Sequence, residues 1–326
     1  MQDNHLAGLS SISSGLRDVQ QYNFSINILA MLLLGFGFLM VFVKKYGYSA
    51  TTGTYLVVGA GLGRLRLYQY ALLSLLAVPF YMLNEWLVLD GGLIITQGFT
   101  DAAGSIVIHA FGAYFGLGLA IALTKARHLT ANIESDETSD RFSMLGSMVL
   151  WLFWPSFCAA IVPEMQVAQT VINTILSLCG ATLATYVVST LLRKGKPALG
   201  DLANASLAGG VAIGATCNLV SAPIAFLIGL AAGSVCVVGY KLIQPKLQVR
   251  FRIVDTCGVH NLHGMPGLLG GLIAIAVVPG IAVAQLTGIV FTVVLALAGG
   301  TLCGFLISLT GKKEQVYEDA DEFEGA

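Results

Sequence analysis

Two stretches carry residue types that can do chemistry, and they share one spacing. Asp101-Ala-Ala-Gly104-Ser-Ile-Val-Ile-His109 and Asp255-Thr-Cys-Gly258-Val-His-Asn-Leu-His263 each place a glycine three residues after an acid and a histidine eight residues after it. Each copy opens an apolar run, and in the second Gly264-Met-Pro-Gly267 follows the histidine. An imidazole is costly inside hydrocarbon, so an intramembrane histidine marks a substrate path by default. Two copies point to one histidine from each half of a duplicated membrane bundle. In a dry interior the neutral ring is favoured, and two rings sharing a hydrogen bond let one nitrogen donate while another accepts. Such a lining suits a small polar molecule that both gives and takes hydrogen bonds, and it penalises a desolvated ion. If helix ran from each acid, eight residues would lift each imidazole about 12 Å toward mid-bilayer. His260 reads equally well as a group at the membrane interface capping a helix.

For Asp101 and Asp255 two readings stand. Either carboxylate could draw a cation toward its mouth, or it could brace backbone amides at a helix start; an acid followed by small residues favours bracing. Phe157, in Trp151-Leu-Phe-Trp154-Pro-Ser-Phe157, is a candidate constriction, although an aromatic there more often packs against lipid or core. Glu85 needs a partner or water, and Glu85 and Trp154 are the candidates for a vestibule. The six cysteines (Cys158, Cys179, Cys217, Cys236, Cys257 and Cys303) show no metal-site spacing and read as small core residues, without a disulfide framework. No nucleophile elbow, metal cluster or phosphate loop is legible, so neither an enzyme nor a resident cofactor or metal is expected. Nothing points to nucleic acid. The sequons Asn23-Phe-Ser and Asn204-Ala-Ser fall in or against apolar spans, where glycosylation is not expected.

The elements that must position these groups are transmembrane helices. Of 326 residues 56% are hydrophobic and 11% charged, and mean hydropathy is +0.79, values that exclude an ordinary soluble domain. The 38 glycines suit helices packed through small residues. An N-terminal tail over residues 1–22, expected to lie outside the cell, leads into a first span that is retained, since no basic stretch precedes it. Nine spans are predicted at 23–43, 68–89, 101–124, 143–163, 168–192, 201–219, 221–242, 257–280 and 284–311. They form one all-α transmembrane domain over 23–311. Its first half runs to about 124, its inverted second half covers 143–283, and a last span occupies 284–311. An acidic cytoplasmic tail, 312–326, closes the chain. Residues 52–63 are apolar but reach only about 18 Å against a hydrocarbon core of about 30 Å, so they do not cross.

With the N-terminus outside, sixteen of the seventeen Lys and Arg residues fall on the cytoplasmic side, leaving only Arg17. Nine spans then put the C-terminus inside. The third span enters from outside and the eighth from inside, so the two Asp-to-His copies run antiparallel, as an inverted repeat requires.

On these residues the chain resembles the Rhesus (Rh) glycoprotein branch of the ammonium transporter superfamily. The matching stretches are residues 101–116, Trp154-Pro-Ser-Phe157, residues 204–214 and residues 255–267, with Gly35-Phe-Gly-Phe-Leu-Met40 and Tyr46-Gly-Tyr-Ser-Ala50 extending the match toward the N-terminus. The resemblance implies a trimer whose subunits each hold a narrow hydrophobic pore for ammonia. It carries the twin histidines onto His109 and His263, the inner phenylalanine of the gate onto Phe157, and the pore-associated aspartates onto Asp101 and Asp255. It also implies recruitment of NH4+ outside, its deprotonation on entry and passage as NH3, with carbon dioxide as a further substrate. Family members usually have eleven core spans, and Rh glycoproteins add an N-terminal one. Here the pattern breaks at residues 52–67, where Thr54-Tyr-Leu-Val-Val58 resembles the start of the family's second core span and Gly61-Leu-Gly63 the end of its third. The intervening segment, which in relatives supplies the outer phenylalanine of the gate, is missing, and this motivates a second reading: a non-conducting Rh-like subunit or sensor acting through assembly with related subunits.

Overall fold

The structure is a computed structural model of the chain, described over residues 2–39, 59–129 and 136–311, and every described regular element is helical. Residues 40–58, with Lys44, Lys45 and most of the short apolar stretch, and the acidic tail from 312 lie outside the described residues. Helix α1 covers 2–39 as Gln2–Ala30, a π turn Met31–Gly35 and Phe36–Leu39. The expected tail is thus the first half of a helix. Its Leu, Arg and Gln residues favour helix and no proline interrupts them. Helix α2 is Leu67–Val88. The third span, α3, is a π turn Ser105–Ala110 running into Phe111–Leu123, and α4 (Glu137–Ala159) and α5 (Val167–Leu192) follow.

The predicted sixth span does not form one rod. It is two short helices, α6 (Leu199–Ala205) and α7 (Ala208–Ile213), followed by turns to residue 220. Gly209, Gly210 and Gly214 lower helix propensity there, and the surrounding bundle buries the broken backbone. Helix α8 starts at Ala222, with Ser221 ahead of it and Pro223 in its first turn, runs to Val238, passes a π turn Gly239–Ile243 and continues as Gln244–Phe251. The basic segment Lys241 to Arg252, between the predicted seventh and eighth spans, is therefore mostly the last part of this helix. Helix α9 is the π turn His260–Gly264 with Met265–Val277, and α10 is Ala282–Ser308. Among the described residues seven helices are long and apolar enough to cross a membrane; α6–α7 are shorter, and α9 carries the polar residues of its first turn.

Two close helix pairs frame the middle of the bundle. α3 meets α10 where Gly300 lies against the Phe115 carbonyl, and α5 meets α8 where Gly229 lies against that of Ser177; a Cβ at either glycine would collide with backbone. Such contacts are the small-residue packing of membrane helices. Polar bonds then sort the loops into two ends. At one end Arg64 donates to Thr124 Oγ1 at 2.6 Å and to the Val254 carbonyl at 2.6 Å, and Gln69 Nε2 donates to the Gly311 carbonyl at 2.9 Å. At the other, Gln285 takes the Thr100 amide at 2.8 Å and returns a bond to the Thr100 carbonyl at 2.9 Å, while Arg17 pairs with Glu164 at 3.6 Å. All six cysteines are free thiols.

Candidate functional site

Both Asp-to-His stretches fold the same way. Asp101 Oδ2 accepts the amides of Ile106 and Val107 at 2.9 and 2.8 Å, and Asp255 accepts those of Val259 and His260 at 3.0 and 2.9 Å. The first four amides of a helix have no intrahelical partner, and each carboxylate fills two of those places. The intervening glycine turns the chain: Gly104 has φ +76° and Gly258 +68°, the left-handed region that a side chain disfavours. Outside support also repeats. Ala102 and Ala103 donate to the carbonyls of Ala215 and Gly214 at 3.4 and 2.7 Å, and Thr256 and Cys257 to those of Ala60 and Gly59 at 3.4 and 3.1 Å. Residues 59–60 thus do for the second copy what 214–215 do for the first, and the end of the short apolar stretch is a working part of the fold.

Helix begins after these turns, not at the acids. His109 stands four residues beyond Ser105, about 6 Å along the axis instead of the 12 Å expected from the sequence. His263 likewise stands four residues beyond Val259, and each histidine lies within a π turn, a local widening frequent at functional sites.

The two rings come together. Their centroids are 5.3 Å apart and their planes 9° from parallel, and both side chains are buried, at 4% and 3% exposure. No hydrogen bond joins these near-parallel rings, contrary to expectation. Both nitrogens of His109 and Nδ1 of His263 are buried without a partner in the protein. Aromatic groups flank the pair: Trp154 stacks on His109 at 5.5 Å, Phe157 meets it edge-on at 6.1 Å, and Phe36 lies against His263 at 6.0 Å. Trp154 is wholly buried and faces His109 inside the bundle, so it does not border a vestibule. It sits one turn from Phe157 on α4, and that spacing turns both toward the imidazole. Glu85 is half-buried and accepts a 3.4 Å bond from the Tyr81 hydroxyl, whose ring lies edge-on to Phe111. His260 pairs with Tyr114 at 5.6 Å, one turn from His263 and toward the end marked by Asp255.

Sequence reading missed three contributors. Phe36 lies in an unremarkable Gly/Phe run. Ser105 Oγ donates to the Val211 carbonyl at 2.6 Å and accepts the Ala215 amide at 2.7 Å, joining α3 to α7. Arg193 makes a bidentate pair with buried Asp201 at 2.6 and 2.7 Å, tying the end of α5 to α6; that carboxylate holds the guanidinium above its ordinary range. Only Asp201, an acid in an apolar run, left a signal. Beyond the membrane helices, burial and then the charge of Arg64 push His128 down to about 4. Chemically, the centre is a buried aromatic cluster with three imidazole nitrogens that no protein group satisfies.

The sequence signature of the Ammonium Transporter Family matches residues 47–325. Ammonium transporter Rh type B of Oryctolagus cuniculus is 34% identical over 372 aligned positions, spanning 89% of this chain and 79% of the relative. Ammonium transporter Rh type A of Rattus norvegicus is 36% identical over 307 positions, 79% of this chain and 67% of the relative. Among solved structures, Rh50 of Nitrosomonas europaea superposes with a TM-score of 0.93 at 57% identity, covering 94% of this chain and 92% of that one. Mep2 of Candida albicans, at 16% identity and a TM-score of 0.71, shares the fold. The rabbit comparison also locates a difference in length. Since 89% of 326 is about 290 residues, roughly 80 of its 372 aligned positions have no counterpart here.

Proposed function

Because the chain belongs to the ammonium transporter family, in its Rhesus branch, we propose that it is a channel conducting NH3 past His109 and His263. The observation that carries this reading is the pair of buried, parallel imidazoles 5.3 Å apart with unpartnered nitrogens. Ammonia gives and takes hydrogen bonds, and is small and uncharged in the form that enters a dry slot. NH4+ is recruited at the outer end, where Glu85 and Tyr81 lie, and gives its proton to solvent water at that mouth, because desolvating the ion costs far more than desolvating the base. Phe157 narrows the approach to His109 edge-on, and Trp154 holds the ring flat. Asp101 and Asp255 act as braces for the turns that deliver the histidines. Carbon dioxide, also small and uncharged, is a second candidate solute. The working unit is a trimer, of identical or related subunits, in the plasma membrane, with the N-terminus outside and the C-terminus in the cytoplasm. Rabbit Rh type B and Nitrosomonas Rh50 support the transport reading by their descriptions as an ammonium transporter and a Rhesus family channel.

Stopped-flow alkalinisation of proteoliposomes tests it. Permeability well above bare lipid, lost in the His109→Ala, His263→Ala double variant, is the expected result. Wild-type flux in that variant would end the imidazole mechanism. A second reading, a non-conducting subunit acting through assembly, is favoured by the roughly 80 aligned positions absent here. Bare-lipid permeability with intact assemblies would select it.

A further inference from the structure

Helix α8 does not end where a membrane span should. Ala222–Phe251 is 30 residues, about 45 Å, so its last ten residues stand beyond a hydrocarbon core of about 30 Å, at headgroup level. From Lys241 to Val254 the sequence holds four cations (Lys241, Lys246, Arg250 and Arg252) and no acid. All four are exposed, and none pairs with a described carboxylate. Exposed apolar side chains stand among them, Val249 at 81% and Phe251 at 59%. A basic, amphipathic helix end of this kind lies in a bilayer interface.

Beside it is a cavity of about 380 Å³ walled by Leu247, Phe251, Ile253, Tyr114, Leu117 and Leu297. Its polar lining is largely paired within the protein: Gln244 donates to the Asp255 carbonyl at 2.8 Å and accepts from Asn261 at 2.6 Å, while the Asp255 carboxylate holds two amides. What remains is mostly apolar wall, with Gln248 and the unpartnered His260 Nδ1 and Asn261 Oδ1 at its polar side. The Arg250 guanidinium lies 5.7 Å over the Phe251 ring, so a cation stands at the rim of the same cavity.

We propose that this cavity and its basic collar form a seat for one anionic phospholipid. An acyl chain enters between α3, α8 and α10, and the phosphate headgroup lies on Arg250, Lys246 and Arg252. The lipid comes from the leaflet facing this end, which is the cytoplasmic one if the orientation proposed above holds; the seat itself does not depend on that orientation or on conduction. Bound there, the lipid packs against the turn that carries Asp255 and His260.

Native mass spectrometry of the intact assembly with phosphatidylglycerol and phosphatidylcholine tests the seat. Wild type should retain phosphatidylglycerol preferentially at low salt. A triple variant, Lys246→Gln, Arg250→Gln, Arg252→Gln, should lose that preference, at about fivefold per cation and so roughly a hundredfold together. Leu247→Trp, which fills the cavity without changing charge, should cut retention at least about fivefold; Ile253→Phe serves if that variant does not fold. Wild-type retention by the filled cavity would leave only general surface attraction and overturn the seat. So would equal retention of the two lipids. A chain ending at Gly311 that binds phosphatidylglycerol more than about tenfold tighter would show that the acidic segment 312–326 occupies the collar instead, and would overturn it too.

Discussion

Removing the carboxylate of Asp101 separates its two readings, because a brace and a bait for cations fail differently. In Asp101→Ala the amides of Ile106 and Val107, now bonded at 2.9 and 2.8 Å, lose their acceptor in a buried site. Each stranded N–H costs about 1–3 kcal/mol, so the pair costs about 2–6 kcal/mol, before a smaller loss from the helix dipole. Asp101→Asn keeps a neutral oxygen, and since charge-assisted bonds are about twice as strong as neutral ones, it should lose about half as much. Against a total stability of about 5–15 kcal/mol, these are easily resolved losses. Denaturant titration of the purified protein, followed by fluorescence of Trp86, Trp151 and Trp154, should rank wild type above Asn above Ala. If Asp101→Ala unfolds within about 0.5 kcal/mol of wild type while its ammonia flux collapses, the carboxylate works through its charge, and the bracing argument is wrong.

Arg193→Gln should destabilise the protein by about 1–3 kcal/mol in the same titration; buried Asp201 loses its partner, but the guanidinium is 30% exposed and water replaces part of the interaction. Gly258→Ala should cost about 1–3 kcal/mol, from the left-handed backbone and from a Cβ driven against the Tyr240 ring, and an unchanged midpoint would refute the strain. Stability should fall as pH drops from about 6.5 to about 4. His128 resists protonation when folded, so the unfolded chain binds more protons throughout that window, and His128→Gln should flatten the slope.

Much of this architecture could be read from residue order. The repeated Asp, Gly and His spacing marked two helix starts with an acid to brace their amides, but not the positive-φ glycine turn that sets each start beyond its acid. Clusters of Lys and Arg marked the stretches between spans, because charge cannot be left in hydrocarbon. What escaped depends on tertiary surroundings. The π turns at His109 and His263 shorten the reach of each ring, and no local propensity encodes them. The break between α6 and α7 survives because neighbours bury it. The predicted seventh span stops at 242, yet the helix under way through α8 carries the basic run outward to Phe251. The near-parallel rings, without the expected shared hydrogen bond, follow from how α3 and α9 are set against each other, which spacing alone does not state.

The equivalence of residues 59–60 and 214–215 has a consequence for traffic. Turned end for end, the molecule exchanges one imidazole for the other along with the bend that delivers it and the carbonyls that hold that bend. In the channel proposed above, the backbone that delivers this pair favours neither direction, so the gradient would set net flow. Any difference between the two directions would arise from what is not repeated: Trp154 and Phe157 beside His109, Phe36 beside His263, and the two ends, with Glu85 and Tyr81 at one and Asp255, His260 and Arg64 at the other.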